Sequence, residues 1–243
     1  MKNILLTGAS RGVGLAICQT LLEDADISVY AVSRSHTEEF SNLQKKFGSR
    51  LFFKSVDLSD TESARREVFA EDFVSNRVPL YGYVNNAAQA YDDIVTNIDA
   101  EKLRAMFAVN VFTPMLFVKY AIRNMIFNRV SGSITHISSI SAHTGYKGLA
   151  MYAASKGALE AFSKNTAREW GGRGIRSNAV IPGFMETAMS ASLSEEQKDR
   201  IYKRTSLKKA TDISSVAKTV AFLVSEGASS ITGQNIHVDS GTI

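Results

Sequence analysis

The sequence predicts one α/β domain spanning residues 1–243, a Rossmann-like, doubly wound parallel sheet with helices on both faces. Three observations predict it. Short apolar runs alternate with longer helical ones along the chain. A glycine cluster lies directly between the first apolar run and the first helical one. The 243 residues are 44% hydrophobic, enough chain and enough apolar side chain for one large core.

Taken in order, Asn3–Thr7 reads as a buried strand and Val13–Leu22 as an amphipathic helix. Ile27–Ser33 is the second strand, followed by a polar helix over His36–Phe47. Leu51–Val56 is the third strand and ends at Asp57, before a helix over Ser63–Val74. Leu80–Val84 is the fourth, running into Asn85 and Asn86, before a long helical region at Ala100–Asn128. Ser133–Ile137 is the fifth strand and Ala150–Trp170 a long helix. Ile175–Val180 is the sixth, then a polar, mixed stretch at Met185–Lys203, a helix at Ser214–Ser225 and a last strand at Asn235–Val238. Right-handed crossovers between parallel strands put ligands at the strands' C-terminal ends, so chemistry is expected just after each strand.

Composition narrows the function. With 3 prolines and 21% charged residues the chain is not a disordered type. Four histidines and one cysteine exclude a disulfide framework and a cysteine-rich zinc module, and no metal site is expected. Cys18 sits in the apolar run Leu15–Cys18 and reads as a small buried hydrophobe. The net charge of +4 comes from scattered cations without a long basic run, which suits a solvated surface or an anionic ligand rather than nucleic acid. The most apolar stretch, Met106–Ile122, carries Asn110, Pro114 and Lys119 and makes a poor membrane span. The N-terminus carries no signal-peptide pattern, so a cytoplasmic protein is expected.

The first strand ends in Thr7-Gly8-Ala9-Ser10-Arg11-Gly12-Val13-Gly14. Gly8, Gly12 and Gly14 allow a tight turn, and without Cβ atoms they let a pyrophosphate approach the backbone. The helix that follows offers free N–H groups and a positive dipole end. A glycine cluster alone is weak evidence; its position between strand and helix makes it a dinucleotide signal. The second strand ends in Val32-Ser33-Arg34-Ser35, with no acid to select a free ribose 2′-hydroxyl. Arg11 and Arg34 are forked donors suited to a 2′-phosphate, so NADP(H) is expected. Asp57 either caps a turn or touches the adenine; spacing leaves both open.

Tyr152-Ala153-Ala154-Ser155-Lys156 opens the long helix, and i, i+4 spacing puts phenol and ammonium on one face. Tyrosine titrates near ~10, too high for proton exchange at neutral pH unless a cation favours the phenolate. Such a pair arises often by chance. Its neighbours strengthen it: Ser138-Ser139 ends the fifth strand, Asn85-Asn86-Ala87-Ala88 the fourth, and Asn110 is an amide in an apolar helical run.

Gly8/Gly12/Gly14, Asn86-Ala87, Asn110, Ser139, Tyr152/Lys156 and Pro182-Gly183 resemble, in order and spacing, the classical short-chain dehydrogenase/reductase family over essentially the whole chain. The subfamily most like it is the 3-oxoacyl-(acyl-carrier-protein) reductases, especially over Thr7–Gly14, Tyr152–Phe162 and Ile231–Asp239. The resemblance implies that Tyr152 is the general acid for reduction and base for oxidation, and that Lys156 lowers its pKa and bonds the nicotinamide ribose. It implies that Ser139 orients the carbonyl; Ser138 is the alternative, and the family's Ser–Tyr spacing favours Ser139. Asn110 would hold a water linking Lys156 to solvent. The glycine turn with Ser10, Arg11 and Val13 would hold the phosphates, beside Ser33 and Arg34. Asp57, Leu58 and Val109 would contact the adenine, and Asn86 and Ala87 the adenosine and ribose. Ile181, Pro182, Gly183 and Thr187 would cover the nicotinamide and phosphates, before a mobile substrate loop around 184–204.

Some positions depart from the family. Ala88 stands where glycine is usual, and Val238-Asp239-Ser240-Gly241 replaces a double glycine. Acyl-carrier reductases hold their acidic carrier with basic residues near the cleft mouth. Arg173 matches one of these positions, whereas the other matches Val130, with Arg129 one step earlier. The expected function is NADPH-dependent reduction of a carbonyl to an alcohol, plausibly on a 3-oxoacyl thioester carried by acyl carrier protein. The alternatives are a dehydrogenase of a small hydroxylated or sugar-derived molecule, and a non-catalytic NADP-binding regulator, against which the intact Ser139/Tyr152/Lys156 set argues. Leu149, Met151, Phe184, Met185 and Met189 suggest an apolar pocket, or else core packing or a subunit contact. A homotetramer or homodimer is expected by family analogy.

Overall fold

The computed structural model describes residues 1–187 and 194–242. Seven strands form one parallel sheet: β1 (Lys2–Thr7), β2 (Ile27–Ser33), β3 (Leu51–Ser55), β4 (Leu80–Asn85), β5 (Ser133–Ile137), β6 (Arg176–Pro182) and β7 (Asn235–Val238). Their spatial order is β3-β2-β1-β4-β5-β6-β7. The helices are α1 (Gly12–Leu22), α2 (Glu38–Phe47), α3 (Thr61–Val68), α4 (Ala100–Phe107), α5 (Thr113–Phe127), α6 (Ala150–Trp170), α7 (Glu195–Arg204) and α8 (Ile213–Val224).

Period-two alternation in the strands divides the core into two layers. Ile4, Leu6 and Val84 face α1, α2 and α8, where they meet Ile17, Leu21, Phe40 and Val220. Leu5, Tyr83 and Ile134 face the other way, onto Phe117, Ala121 and Met125 of α5 and Val68 of α3. Strands buried on both faces explain the uninterrupted apolar runs in the sequence. β1 pairs with β2 on one side and β4 on the other. The winding reverses there, and the crevice outside the C-terminal ends of β1 and β4 is where such sheets bind ligands.

The differences from the sequence reading have local causes. The predicted helix at 63–74 runs only over Thr61–Val68, capped by the Asp60 carboxylate on the Ser63 amide, and Phe69 leaves helical geometry. The long region after Ala100 is interrupted by a π-helical turn at Ala108–Phe112. Its 28-residue apolar span packs its inner face into the core through Met106, Phe117, Val118 and Met125, and reads as a core helix. The expected loop around 184–204 ends in a helix, α7. Ser194 starts it with a capping box, accepting from the Gln197 amide while the Gln197 side chain accepts from Ser194 N–H. Met189 lies outside the described residues. Ser240, at the expected double-glycine position, adopts a left-handed φ of 58°. That conformation costs a non-glycine residue about 1–2 kcal/mol.

Candidate active site

The glycine turn follows β1 and is held against the end of β4. The Thr7 hydroxyl accepts from the amides of Asn86 and Ala87, both at 3.2 Å. The Asn86 side-chain amide donates to Thr7 O at 3.1 Å and Gly8 O at 3.0 Å. This closeness explains two of the glycines. A Cβ on Gly8 would sit 2.8 Å from Ala87 Cα, and one on Gly14 would sit 1.9 Å from Gly8 O. Gly12 differs: its φ is +54° and a Cβ there would meet nothing within 4 Å. The space in front of Gly12 is open.

α1 begins at that open space with no side-chain cap and no acid in its first turn, leaving its first amides free for an anion. Arg11 is the exposed residue before the helix, and Val13 and Gly14 are its first turn. Ser10 and Ser33 are linked, the Ser10 amide donating to Ser33 Oγ at 3.2 Å. They join the turn to the end of β2. Arg34 follows, exposed and beside Asp57. The Asp57 carboxylate accepts the Ser59 amide at 2.9 Å. That bond, aided by Arg34, holds its carboxyl below the usual range. Asp57 therefore caps a turn and also lies on the same rim. Leu58 is buried, its carbonyl accepting from Thr113 Oγ1 at 2.8 Å, and Val109 packs on the α5 side of the core. The open glycine turn, the uncapped helix and the two arginines fit a phosphorylated dinucleotide.

The second half of the cleft lies at β5 and β6. Lys156 is 2% exposed and its Nζ donates to Ile137 O at 2.8 Å. The Nζ sits 5.6 Å from the centre of the Tyr152 ring. Burial lowers the lysine pKa from 10.5 to about 8. Tyr152 corrects an expectation: instead of being lowered by Lys156 it is pushed up to about 12, mainly by burial and further by the negative charge of Asp92. Backbone pairing of Asp93 N with Gly148 O at 2.9 Å ties that acidic loop to the segment entering α6. Ser138 and Ser139 diverge. Ser138 is buried and its hydroxyl donates to Glu160 at 2.5 Å. Ser139 is half-buried, and its Oγ accepts from both the amide and the hydroxyl of Ser141, at 3.2 and 3.0 Å. Two accepted bonds leave its own O–H proton to donate.

Asn110 sits in the π-helical turn because its side chain is fully engaged there. Its Oδ1 accepts from Gln89 N at 2.8 Å, and its Nδ2 donates to Gln89 O and Ser155 Oγ, at 2.9 and 3.0 Å. It thereby ties the segment after β4 to α6. Pro182 ends β6. Gly183 passes so close to Asp239 that a Cβ would meet its Cα at 2.7 Å. Thr187 is half-buried just beyond. Of the apolar set, Met151 is buried and Met185 packs against the α1 and α8 layer, which is core packing. Leu149 and Phe184 remain half-exposed. Arg129 and Arg173 correct an expectation. They follow α5 and α6 and precede β5 and β6, at the N-terminal ends of the strands, whereas Ser139 and Gly8 follow the C-terminal ends. They do not line the mouth of this chain's cleft. Sequence reasoning passed over Ser155, Asp92 and Glu160, although Glu160 stands at i+4 from Lys156 and i+8 from Tyr152.

A family model described as enoyl-(acyl carrier protein) reductase matches residues 8–242. Among curated proteins, L-xylulose reductase of Caenorhabditis elegans is 32% identical over 99% of this chain and 95% of its own. The 3-oxoacyl-(acyl-carrier-protein) reductase of Salmonella typhimurium is 34% identical over 99% of this chain and 96% of its own. A solved structure of 4-hydroxyisoleucine dehydrogenase complexed with NADH superposes with a TM-score of 0.91. It is 24% identical and covers 100% of this chain and 98% of that one. At that identity it speaks for the fold.

The buried ammonium carries a stability cost. The folded-state pKa of Lys156 lies below its unfolded value, so the unfolded chain binds the proton more tightly. The penalty is fully present below pH ~8 and is released as pH rises from about 8 towards 10.5. Lys156→Met, similar in length and uncharged, should therefore raise the Tm of the cofactor-free protein at pH 7 by a few degrees while losing turnover and cofactor affinity. The gain should shrink between pH 8 and 10. Calorimetry across that range checks this; a lower Tm for the variant at pH 7 would contradict it.

Proposed function

The chain belongs to the short-chain dehydrogenase/reductase family of oxidoreductases, and on that premise we propose that it is an NADPH-dependent reductase turning a carbonyl into an alcohol. The observation that carries the reading is the Lys156 ammonium, which bonds Ile137 O two residues before Ser139 and lies 5.6 Å from the Tyr152 ring, at the same end of the sheet as the open, uncapped glycine turn. Gly8, Ser10, Arg11, Gly12, Val13 and Gly14 would hold the pyrophosphate, and Arg11 with Arg34 the 2′-phosphate. Ser33, Asp57, Leu58, Asn86, Ala87 and Val109 would frame the adenosine. Pro182, Gly183 and Thr187 would cover the nicotinamide end.

When bound, the reduced nicotinamide supplies the hydride. Ser139 donates its free O–H to the substrate oxygen and fixes the carbonyl's direction. Tyr152, held as a neutral phenol by burial, gives its proton to the same oxygen as negative charge develops there. Lys156 has one proton on Ile137 O and two further donors; its charge offsets the forming phenolate, and its ammonium would bond the nicotinamide ribose. The Asn110 amide is committed to Gln89 and Ser155, so a water linking Lys156 to solvent would rest on the Asn110 main chain in the π-helical turn.

For the substrate we favour a 3-oxoacyl thioester, in keeping with the 34% identical relative and the half-exposed Leu149 and Phe184. A small hydroxylated or sugar-derived substrate is the second reading. It is supported by the comparably similar L-xylulose reductase and by Arg129 and Arg173 lying at the strands' N-terminal ends, away from the glycine turn. An oligomer built on the long helices accords with Phe112 and Phe127, which leave 54% and 68% of their surface exposed.

Cofactor choice is tested by fluorescence titration. NADPH should bind more tightly than NADH, and Arg34→Ala should weaken NADPH by about tenfold, one charge-assisted hydrogen bond, with little effect on NADH. Equal or tighter NADH binding would overturn the cofactor assignment.

Tyr152→Phe keeps the ring and removes the acid. Turnover of any accepted ketone should drop at least ~10²-fold while NADPH binding persists. A variant with near-normal turnover would eliminate the mechanism.

If a carrier presents the substrate, acetoacetyl-carrier protein should be turned over with a lower KM than acetoacetyl-CoA. That advantage should shrink at high salt, because exposed charges are screened beyond ~8 Å at physiological ionic strength. Equal KM values for the two thioesters, with turnover of small sugar-derived ketones, select the second reading.

A further inference from the structure

We propose that Glu160 is a positioning residue for the reaction: its buried carboxylate sets the direction of the Ser139 hydroxyl by gripping the chain on both sides of it. The inference rests on the reading of Ser139, Tyr152 and Lys156 as the catalytic set.

Glu160 lies on α6 at i+8 from Tyr152 and i+4 from Lys156, so the three share one helical face. It is 6% exposed. A carboxylate at that depth must be satisfied by donors, and this one has them from several directions. Ser138 Oγ–H donates at 2.5 Å, His143 Nε2 lies at 2.8 Å and Asn235 Nδ2 at 2.6 Å. Ser138 follows β5, His143 follows the 3-10 turn Ile140–Ala142, and Asn235 begins β7.

Ser139 is the residue that starts that 3-10 turn. The turn is closed by Ala142 N on Ser139 O at 3.0 Å and His143 N on Ile140 O at 2.9 Å. Its two ends, Ser138 and His143, are therefore fixed by a single carboxylate. The Ser138 amide is also fixed, donating to Val180 O at 2.8 Å. With both ends pinned, the extended backbone of Ser139 and the Ser141 amide on its Oγ have one arrangement. Charge-assisted hydrogen bonds are shorter and stiffer than neutral ones, which suits an anchor that must hold a hydroxyl to a fraction of an ångström. The grip continues outward: the His143 ring stands edge-on to His237 at 4.7 Å, and His237 lies 3.7 Å from the Asp239 carboxylate. Through Asn235, the same carboxylate binds the last strand to the catalytic segment. Among its hydrogen bonds none goes to Ser139, Tyr152 or the Lys156 ammonium, so it acts through its neighbours.

The test is Glu160→Gln, which keeps the shape but turns one acceptor into a donor facing another donor. The variant should lose about tenfold in kcat, the size of one hydrogen bond to a charged group, with KM for NADPH unchanged and Tm within a few degrees. Ser139→Ala should lower kcat alone, and the double variant should be no slower than Ser139→Ala, because Glu160 acts through that hydroxyl. A purely structural role would instead multiply the two losses. Should Glu160→Gln fold poorly, His143→Ala removes one anchor at a partly exposed site and should show the same kcat loss and the same non-additivity. Wild-type kcat in the folded variant, or losses that multiply, would overturn the proposal while leaving the catalytic set intact. Near-normal turnover in Tyr152→Phe and Ser139→Ala would instead remove the set itself, and the proposal with it.

Discussion

The Asn86 side chain donates to the carbonyls of Thr7 and Gly8, and the rest of the cleft depends on that contact. It draws the turn after β1 against the end of β4 at the point where the winding reverses. So close an approach leaves no room for Cβ atoms at Gly8 and Gly14. It also points the start of α1 into open space. The same tie reaches the far wall, since the segment after Asn86 leads to Gln89, which Asn110 binds from both sides before reaching Ser155 on α6. The glycine turn, the π-helical turn and the Tyr152 helix are thus set by one connected run of hydrogen bonds.

Against that frame α6 carries an unusual burden. Its inner face holds a neutral phenol, a buried ammonium and a buried carboxylate in successive turns. Each is costly to bury, and the two charged groups are placed where another element supplies a partner: Ile137 O for Lys156, and Ser138, His143 and Asn235 for Glu160. The stability comes from the apolar layers on either side of the sheet. The polar face of α6 is a local expense of function, which is why removing the ammonium is expected to stabilise the fold while disabling it.

Much of this was legible in the sequence because the signals are local. Strands buried on both faces read as apolar runs, and β2, β5, β7 and α6 fall where the pattern puts them. The glycine turn and the Tyr152/Lys156 spacing are contiguous motifs. What was not legible depends on distant partners. The π-helical turn at Asn110 exists because Gln89 and Ser155 engage its amide, and no periodicity announces that. Which of Ser138 and Ser139 keeps a free hydroxyl proton is set by Glu160, twenty-odd residues along, which claims the first hydroxyl and leaves the second. Arg129 and Arg173 misled because nearness to a family position says nothing of which end of the strands a loop occupies. The capping box of α7 was readable from Ser194 and Gln197, but sits in a stretch whose polar composition hides it.

The electrostatics of the Tyr152–Lys156 pair also bear on both directions of the reaction. Burial raises the phenol to about 12 and lowers the ammonium to about 8, and Asp92 adds to the first effect. Near neutral pH the pair is therefore loaded with both protons, the state a general acid needs to deliver one to a developing alkoxide. Oxidation needs the reverse, a phenolate in the same low-dielectric pocket, with Asp92 opposing it and Lys156 its compensating cation. The two protons belong to a coupled pair, so loss of the ammonium proton removes the support for the phenolate as well. Proton donation ends in the same phenolate, so burial and Asp92, on a loop tied to Gly148 at the entrance of α6, oppose both directions alike and leave the Lys156 ammonium as the charge that offsets them.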